Sequence, residues 1–172
     1  IGEIVEGLLN FARADHKDYR MSDVHKLINS ALVIAKNQYK GRIEIEKNYG
    51  DIPQIECFPG QLNQVFMNTI VNAVQATPGQ GTITITTEMA DEKHIRVRIK
   101  DTGLGMTDEV KKKIFDPFFT TKPVGQGTGL GLALAYEIMG KHNGKIDVDT
   151  APGRGTEFIF TLPIVQPKKE EA

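Results

Sequence analysis

Residues 82–101 read TITITTEMADEKHIRVRIKD, and this stretch decides the fold. Apolar and polar side chains alternate over 82–89 and again over 94–101, a period of two that is typical of strands with one buried face. The two runs therefore predict an antiparallel hairpin. Along its first strand we expect Ile83 and Ile85 to face the core, and the threonines between them to face solvent.

Helical and strand patterns surround this hairpin on both sides. The pattern predicts helices over about 22–39, 60–77, 107–114 and 128–142, and strands over 42–49, 53–58 and two parts of 144–164 around the turn APGRG. Because helices and strands are mixed without strict βαβ alternation, we expect an α/β (α+β) fold built as a two-layer sandwich. A mixed, mainly antiparallel sheet of about five strands should carry about three helices on one face and be largely solvated on the other.

The composition excludes several classes of partner and site. Among 172 residues, 21 basic and 22 acidic side chains give a formal net charge of −1, so no global field attracts nucleic acid or an anionic membrane. No apolar run has the length of a membrane helix. Cys57 is the only cysteine, which excludes an internal disulfide and a cysteine-based zinc site and indicates a reducing compartment. We therefore expect a cytoplasmic domain that contacts neither nucleic acid nor membrane, whether or not the full-length protein is anchored in one.

The two ends of the chain differ from its centre. Residues 1–14 carry an apolar helical stripe from the first residue onward, which suggests a helix whose partner lies upstream in a longer protein. Residues 15–21 are polar and predict a linker, and the tail has the composition of a disordered segment. The expected organisation is a helix end and linker over 1–19, one domain over 20–164 and a disordered tail over 165–172.

Two glycine-rich segments suggest a site for a phosphorylated ligand. The run VGQGTGLGLALA (124–135) places four glycines before a helix, where free backbone N–H groups favour an anion. The spacing of these glycines does not match a P-loop, and the run lacks the last glycine of the dinucleotide-binding fingerprint. The second segment, DTGLGM (101–106), follows a strand directly, so Gly103 and Gly105 would let a ligand approach the backbone beside Asp101. That carboxylate could accept a hydrogen bond from an adenine amino group, although an ordinary strand-to-helix turn explains the same residues.

A pair of asparagines on the helix 60–77 offers oxygens to a cation. Asn68 and Asn72 lie four residues apart and away from the apolar stripe, so their carboxamides fall in neighbouring turns. Magnesium takes oxygen ligands and keeps phosphates and waters in most positions, so one or two protein oxygens suffice. Two solvated asparagines would give the same pattern, but asparagine is not favoured inside helices.

Four motifs, taken together and in this order, resemble the N, G1, F and G2 boxes of the ATP-binding catalytic domain of sensor histidine kinases. They are NQVFMNTIVNAVQA (63–76), DTGLGM (101–106), FDPFFTTK (115–122) and GQGTGLGLALA (125–135). The resemblance covers about residues 20–164 and implies the Bergerat-type ATPase fold that these kinases share with DNA gyrase, Hsp90 and MutL. The phrase FDPFFTTK is similar to the nitrogen-regulation-like branch in particular.

The resemblance implies ATP and Mg²⁺ as ligands, together with a set of site residues. Asn72 would be the main magnesium ligand, with Asn68 beside it near the phosphates. Asp101 would bond the adenine N6 amino group, and Thr156 would reach Asp101 and the adenine through water. The full nucleotide-binding set would be Asn68, Asn72, Asp101, Gly103, Gly105, Met106, Phe115, Lys122, Gly127, Thr128, Gly129, Leu130, Gly131 and Thr156.

The same resemblance assigns a lid and the catalytic groups. Segment 115–128 would be a mobile lid over ATP, and Lys122 at its start is our candidate for a phosphate contact; a solvated lysine remains the alternative. Asn68 and Lys122 would be the catalytic residues. Many family members carry a cation followed by tyrosine where Gln75 and Ala76 stand here, which raises the importance of Lys122.

The implied activity is transfer of the γ-phosphoryl group of ATP to a histidine in two-component signalling. The acceptor histidine of the family precedes Glu or Asp, and none of the four histidines here does. We therefore expect the acceptor to lie outside this sequence, with residues 1–14 as the end of the second dimerisation helix. The implied partners are the protein's own dimerisation helices, in a homodimer, and a response-regulator receiver domain. A hydrolase of the gyrase or Hsp90 type is one alternative, disfavoured because those enzymes carry a glutamate where Asn68 stands. A non-catalytic nucleotide-binding scaffold is the other.

Overall fold

The computed structural model describes residues 19–121 and 130–167, and the helices and strands predicted within these ranges occur in the predicted order, with one additional short strand. The strands and helices are β1 (Arg20–Ser22), α1 (Val24–Tyr39), β2 (Ile43–Tyr49), β3 (Ile55–Cys57), α2 (Pro59–Ala76), β4 (Gly81–Met89), β5 (His94–Asp101), α3 (Asp108–Lys111), α4 (Gly131–Lys141), β6 (Lys145–Thr150) and β7 (Thr156–Pro163).

The main sheet has five strands in the order β2-β4-β5-β7-β6. The predicted hairpin forms its centre: β4 and β5 are antiparallel, with Ile85 opposite Ile99. Strands β7 and β6 extend it in antiparallel fashion on one side. On the other side β2 pairs with β4 in parallel, which makes the sheet mixed and mainly antiparallel, as predicted.

Helices cover one face of this sheet, and the other face meets solvent. Helix α2 packs against both α1 and α4. Along β4 the side chains of Ile83, Ile85 and Thr87 are buried, whereas those of the alternating threonines are half-exposed, so the predicted inward and outward faces are confirmed. Phe66 on α2 and Phe160 on β7 meet edge to face in the core between the layers.

Helix α1 begins close to the predicted boundary, after a capping side chain. Asp23 is the N-cap residue, and its side chain accepts a hydrogen bond of 2.9 Å from the backbone N–H of His25. The buried residues of α1 recur at helical spacing: Val24, Ile28, Ala31, Leu32 and Ala35.

The short elements differ from the predictions. Arg20 and Met21, predicted as linker, form β1, which pairs with β3 in a separate two-stranded ribbon rather than in the main sheet. The helix predicted over 107–114 is one turn, Asp108–Lys111, because the chain passes into turns after it. Three-residue strands and single helical turns carry too few residues to show a period.

The start of the predicted tail packs onto the domain. Gln166 is buried, donates a hydrogen bond of 2.9 Å to the carbonyl of His142 and accepts one from Asn143. Packing therefore extends beyond residue 164, because a polar side chain satisfies backbone groups at the end of α4. The predicted helix over 1–14 and the rest of the tail, residues 168–172, lie outside the described residues. Over the described ranges, no helix is long and apolar enough to cross a bilayer.

Candidate functional site

Asp101 is the last residue of β5, and only 1% of its surface is exposed. Its Oδ1 atom accepts hydrogen bonds from the backbone N–H groups of Gly103, at 2.8 Å, and Thr156, at 3.2 Å. Its Oδ2 atom is also buried but has no hydrogen-bond partner within the described residues. Burial raises the pKa of Asp101, and the two N–H donors oppose that rise. A buried carboxylate oxygen without a donor is costly, so this atom is suited to a ligand's N–H group.

The loop after Asp101 lies against other backbone segments and leaves no room for side chains at two positions. A Cβ atom added to Gly103 would meet the carbonyl oxygen of Ala76, the last residue of α2. The next residue, Leu104, donates its N–H to that same carbonyl at 3.0 Å. Gly105 has a positive φ of 72°, and an added Cβ would meet the carbonyl of Ala151. Both glycines are therefore required by close packing against the chain's own backbone, whereas the sequence had suggested that they let a ligand approach.

Two threonine hydroxyls support the end of this loop. The N–H group of Met106 donates to Oγ1 of Thr150 at 2.9 Å, and this oxygen lies 2.9 Å from Oγ1 of Thr156. Thr156 was expected to reach Asp101 through water; in the structure its own backbone N–H contacts that carboxylate directly, and its hydroxyl is paired with Thr150. Thr150 was not among the predicted site residues, although it lies opposite Thr156 in the β6–β7 register.

Asn68 joins α2 to the N-terminal end of α4. Its Nδ2 atom donates to the carbonyl of Gly131 at 3.0 Å, and its Oδ1 atom accepts from Nε2 of Gln64 at 2.6 Å. Gln64 was not predicted, but its position one turn before Asn68 is a signal that the sequence does contain. Among the described residues, no side chain caps the first turn of α4 after the exposed Leu130, so the positive end of this helix can attract an anion.

Asn72 lies one turn further along α2 and is half-buried. Its side chain forms no hydrogen bond with the part of the chain that the structure describes. The carboxamide oxygen of Asn72 is therefore available to a cation, whereas that of Asn68 already has a donor. Asn68 and Ala76 are eight residues apart, which corresponds to about 12 Å along a helix axis, a span comparable to a nucleoside triphosphate. Helix α2 thus connects the Asp101 loop to the start of α4.

Part of the predicted lid also contacts α4. The ring of Phe115 is half-buried and lies 5.3 Å from the ring of Tyr136, measured between centroids. Phe118 is exposed and has a positive φ of 66°, an uncommon conformation for a bulky residue. The remaining predicted positions of this segment lie outside the described residues: Lys122, Gly127, Thr128 and Gly129.

Comparison with known proteins identifies the family. Residues 58–166 match the family described as histidine kinase-, DNA gyrase B- and HSP90-like ATPase. The sensor histidine kinase ZraS of Klebsiella oxytoca is 34% identical over 174 residues, which include 99% of this chain but only 37% of that protein.

Solved structures show the same fold. The catalytic domain of histidine kinase ThkA is 32% identical, with a TM-score of 0.76, and the match covers 86% of this chain and 97% of that one. Full-length ShkA, solved in complex with AMPPNP, is 28% identical with a TM-score of 0.76; the match covers 95% of this chain and 35% of that one. The chain spans little more than a third of the Klebsiella kinase. It belongs to the histidine kinase-, DNA gyrase B- and HSP90-like ATPase family and is the ATP-binding catalytic domain of a sensor histidine kinase.

Proposed function

We propose that this chain binds Mg-ATP between the Asp101 loop and α4 and transfers the γ-phosphoryl group to a histidine outside the chain. The observation that carries the proposal is the buried Oδ2 atom of Asp101, which has no hydrogen-bond donor within the described residues. The adenine N6 amino group supplies the missing donor. Gly103 and Gly105 let the loop pack closely against Ala76 and Ala151, which holds it in place beside the Asp101 carboxylate.

The residues at the other end of the site suit phosphates and a magnesium ion. Asn72 would hold Mg²⁺ through its carboxamide oxygen, because this side chain forms no hydrogen bond within the described part of the chain. When bound, the ion neutralises phosphate charge and orients the terminal phosphate. Asn68 holds the start of α4 through Gly131, so that the backbone N–H groups of the first helical turn face the phosphates.

Asn68 favours phosphoryl transfer over hydrolysis. Its carboxamide oxygen accepts from Gln64 and its nitrogen donates to Gly131, so this side chain is held in place by two hydrogen bonds. A neutral carboxamide cannot take a proton from water as a glutamate can. Phosphoryl transfer requires mainly positioning and charge neutralisation by the protein, and the acceptor imidazole brings its own nucleophile.

The proposal also includes a lid over the nucleotide and two protein partners. Residues 115–128 would close over the nucleotide, with Lys122 and the glycines at 127 and 129 near the phosphates and Phe115 at the hinge against Tyr136. Residues 1–19 would lead from the dimerisation helices that carry the acceptor histidine in a homodimer. A response-regulator receiver domain would accept the phosphoryl group next, on the cytoplasmic side.

A transfer assay tests this function. We expect the chain, given radiolabelled ATP and Mg²⁺, to label a separately produced dimerisation domain of the parent protein, and to retain no label by itself. Replacing the acceptor histidine with alanine is the control and should abolish labelling. Steady phosphate release without transfer would favour a hydrolase, and nucleotide binding without either reaction would favour a scaffold.

A further inference from the structure

Arg42 precedes β2 and directs its guanidinium group at backbone carbonyls. Its Nη1 atom donates to the carbonyls of Thr77, at 2.6 Å, and Gly79, at 3.0 Å, and its Nη2 atom donates to Val74 at 3.1 Å. Its Nε atom donates to Gln38 at the end of α1, at 3.3 Å. Among the described residues Arg42 forms no ion pair, so its charge serves these carbonyls rather than a carboxylate.

Three of the four acceptors belong to the end of α2 and the turn after it. The last carbonyls of a helix have no partner within the helix and carry a partial negative charge, which a cation stabilises. The Thr77 hydroxyl satisfies the carbonyl of Ala73 at 2.9 Å. The carbonyl of Ala76, between those that Arg42 holds, accepts the N–H group of Leu104. Arg42 and the loop after Asp101 therefore bind neighbouring carbonyls of the same helical end.

This arrangement links Arg42 to the buried carboxylate in two steps. The hydrogen bond to the Ala76 carbonyl fixes the position of the Leu104 N–H group. The preceding residue, Gly103, donates its N–H to Oδ1 of Asp101. A shift of the α2 terminus would move the Ala76 carbonyl, then the loop, and then the orientation of the Asp101 carboxylate. Gly103 transmits such a shift because its Cα lies against Ala76 without a side chain between them.

We infer that Arg42 is a positioning residue for recognition of the base, acting through the C-terminal end of α2 on the loop 101–106. The inference rests on the proposed nucleotide site and adds to it a residue that touches neither base nor phosphate. Arginine suits this role because its planar fork carries five N–H donors in fixed directions, whereas lysine offers one compact ammonium group. The main-chain carbonyl of Arg42 accepts from Gly81 N–H at 3.1 Å, and this bond survives any change of side chain.

Base selectivity provides a readout that a purely structural role would not change. Inosine triphosphate (ITP) has the phosphates and ribose of ATP but carries a carbonyl oxygen at position 6, where ATP carries the amino group that donates to Asp101. The ratio of ATP to ITP affinity therefore reports how well the carboxylate is oriented. We would measure it by calorimetric titration, with magnesium, for wild type, R42M, R42K and R96M. R96M is the matched control, because Arg96 lies on β5 near Glu88 of the solvated sheet face.

We expect wild type to prefer ATP over ITP at least tenfold, and R42M to reduce this preference at least fivefold through weaker ATP binding. R42K should lose less, and R96M should match wild type. The inference would be overturned if R42M kept the wild-type preference for ATP over ITP, or if it lost affinity for both nucleotides equally. This holds even if R42M is less stable than wild type. If R42M does not fold, R42K decides in its place: a preference equal to wild type overturns the inference, and a reduced one supports it. Wild type that binds neither nucleotide would instead contradict the proposed function.

Discussion

At the scale of single residues, Asp101 stands out because its ionised form is costly to the fold. The carboxylate is buried, one of its oxygens has no donor within the described residues, and burial raises its pKa. A group whose pKa is raised by folding stabilises the folded state only while it is protonated, and this stabilisation is lost as the pH rises through the folded-state pKa. At neutral pH the unliganded protein therefore carries a cost that a hydrogen-bond donor on the ligand can offset.

Asp101→Asn should separate binding from stability. Asparagine keeps an oxygen for the N–H groups of Gly103 and Thr156 but would place an NH₂ donor where we propose that the adenine amino group binds. Loss of a charge-assisted hydrogen bond predicts ATP binding roughly 10- to 100-fold weaker. At pH 7.5 the melting temperature of the unliganded variant should equal or exceed that of wild type, because the buried charge is gone. Titration calorimetry and thermal unfolding check both results, with the exposed Asp51→Asn as control.

His142 shows the opposite sign of pH dependence. Its Nε2 atom accepts from Phe58 N–H at 3.0 Å, and its Nδ1 atom donates to the Ile138 carbonyl at 2.8 Å, an arrangement that requires the neutral ring. Burial lowers the pKa of His142, the Ile138 bond opposes this, and the charge of Lys141 adds to the lowering. The stabilisation is complete above the unfolded-state pKa and is lost as the pH falls from about 6.5 towards the folded-state pKa.

His142→Gln should therefore weaken the acid sensitivity of folding. Between pH 6.5 and 5, wild type should lose up to about 1.4 kcal/mol of unfolding free energy per pH unit from this proton, and the variant less. Urea unfolding at several pH values measures the slope. An identical slope in both proteins would show that other groups bind the protons.

At the scale of elements, the loop 101–106 and the end of α2 form one unit. Gly105 joins them to the β6–β7 turn through its positive φ and its close approach to Ala151. Gly41 also has a positive φ, of 81°, but an added Cβ there would meet no atom of the described residues within 4 Å. Comparing substitutions at these two glycines therefore distinguishes the cost of a left-handed backbone from the cost of a clash with neighbouring atoms.

Gly105→Ala should cost more stability than Gly41→Ala and should also weaken ATP binding. Both substitutions place a side chain in the left-handed region, at about 1–2 kcal/mol each. Only Gly105→Ala adds a clash with backbone, so the loop must move away from Asp101. Urea unfolding and ATP titration of both variants test this. Equal costs with unchanged ATP affinity for Gly105→Ala would mean that the loop adapts freely.

The elements also show which parts of the fold can be predicted. The hairpin and α2 are long and strongly periodic, so their positions follow from the sequence alone. The parallel pairing of β2 with β4, the β1–β3 ribbon and the one-turn α3 depend on distant contacts or on very few residues. The glycines that follow Asp101 mark it in the sequence as a candidate site residue. No sequence pattern marks Arg42, because it binds backbone carbonyls, which every residue carries.

At the scale of the whole molecule, α2 organises the site. Its middle carries Asn68, bound to the start of α4, and its end carries Ala76, bound to the loop after Asp101. The solved relatives share this fold over most of the chain, and one of them was solved in complex with AMPPNP. The proposed nucleotide site therefore lies along α2, with a base end and a phosphate end.

Calorimetric titration of the 172-residue chain with AMPPNP, with and without Mg²⁺, tests this claim most directly. The account predicts binding at a single site in the presence of Mg²⁺, and clearly weaker binding when the ion is removed or when Asn72 is replaced with alanine. Asn37→Ala, on the exposed face of α1, is the control and should bind like wild type. No binding by the wild-type chain in the presence of Mg²⁺ would contradict the account.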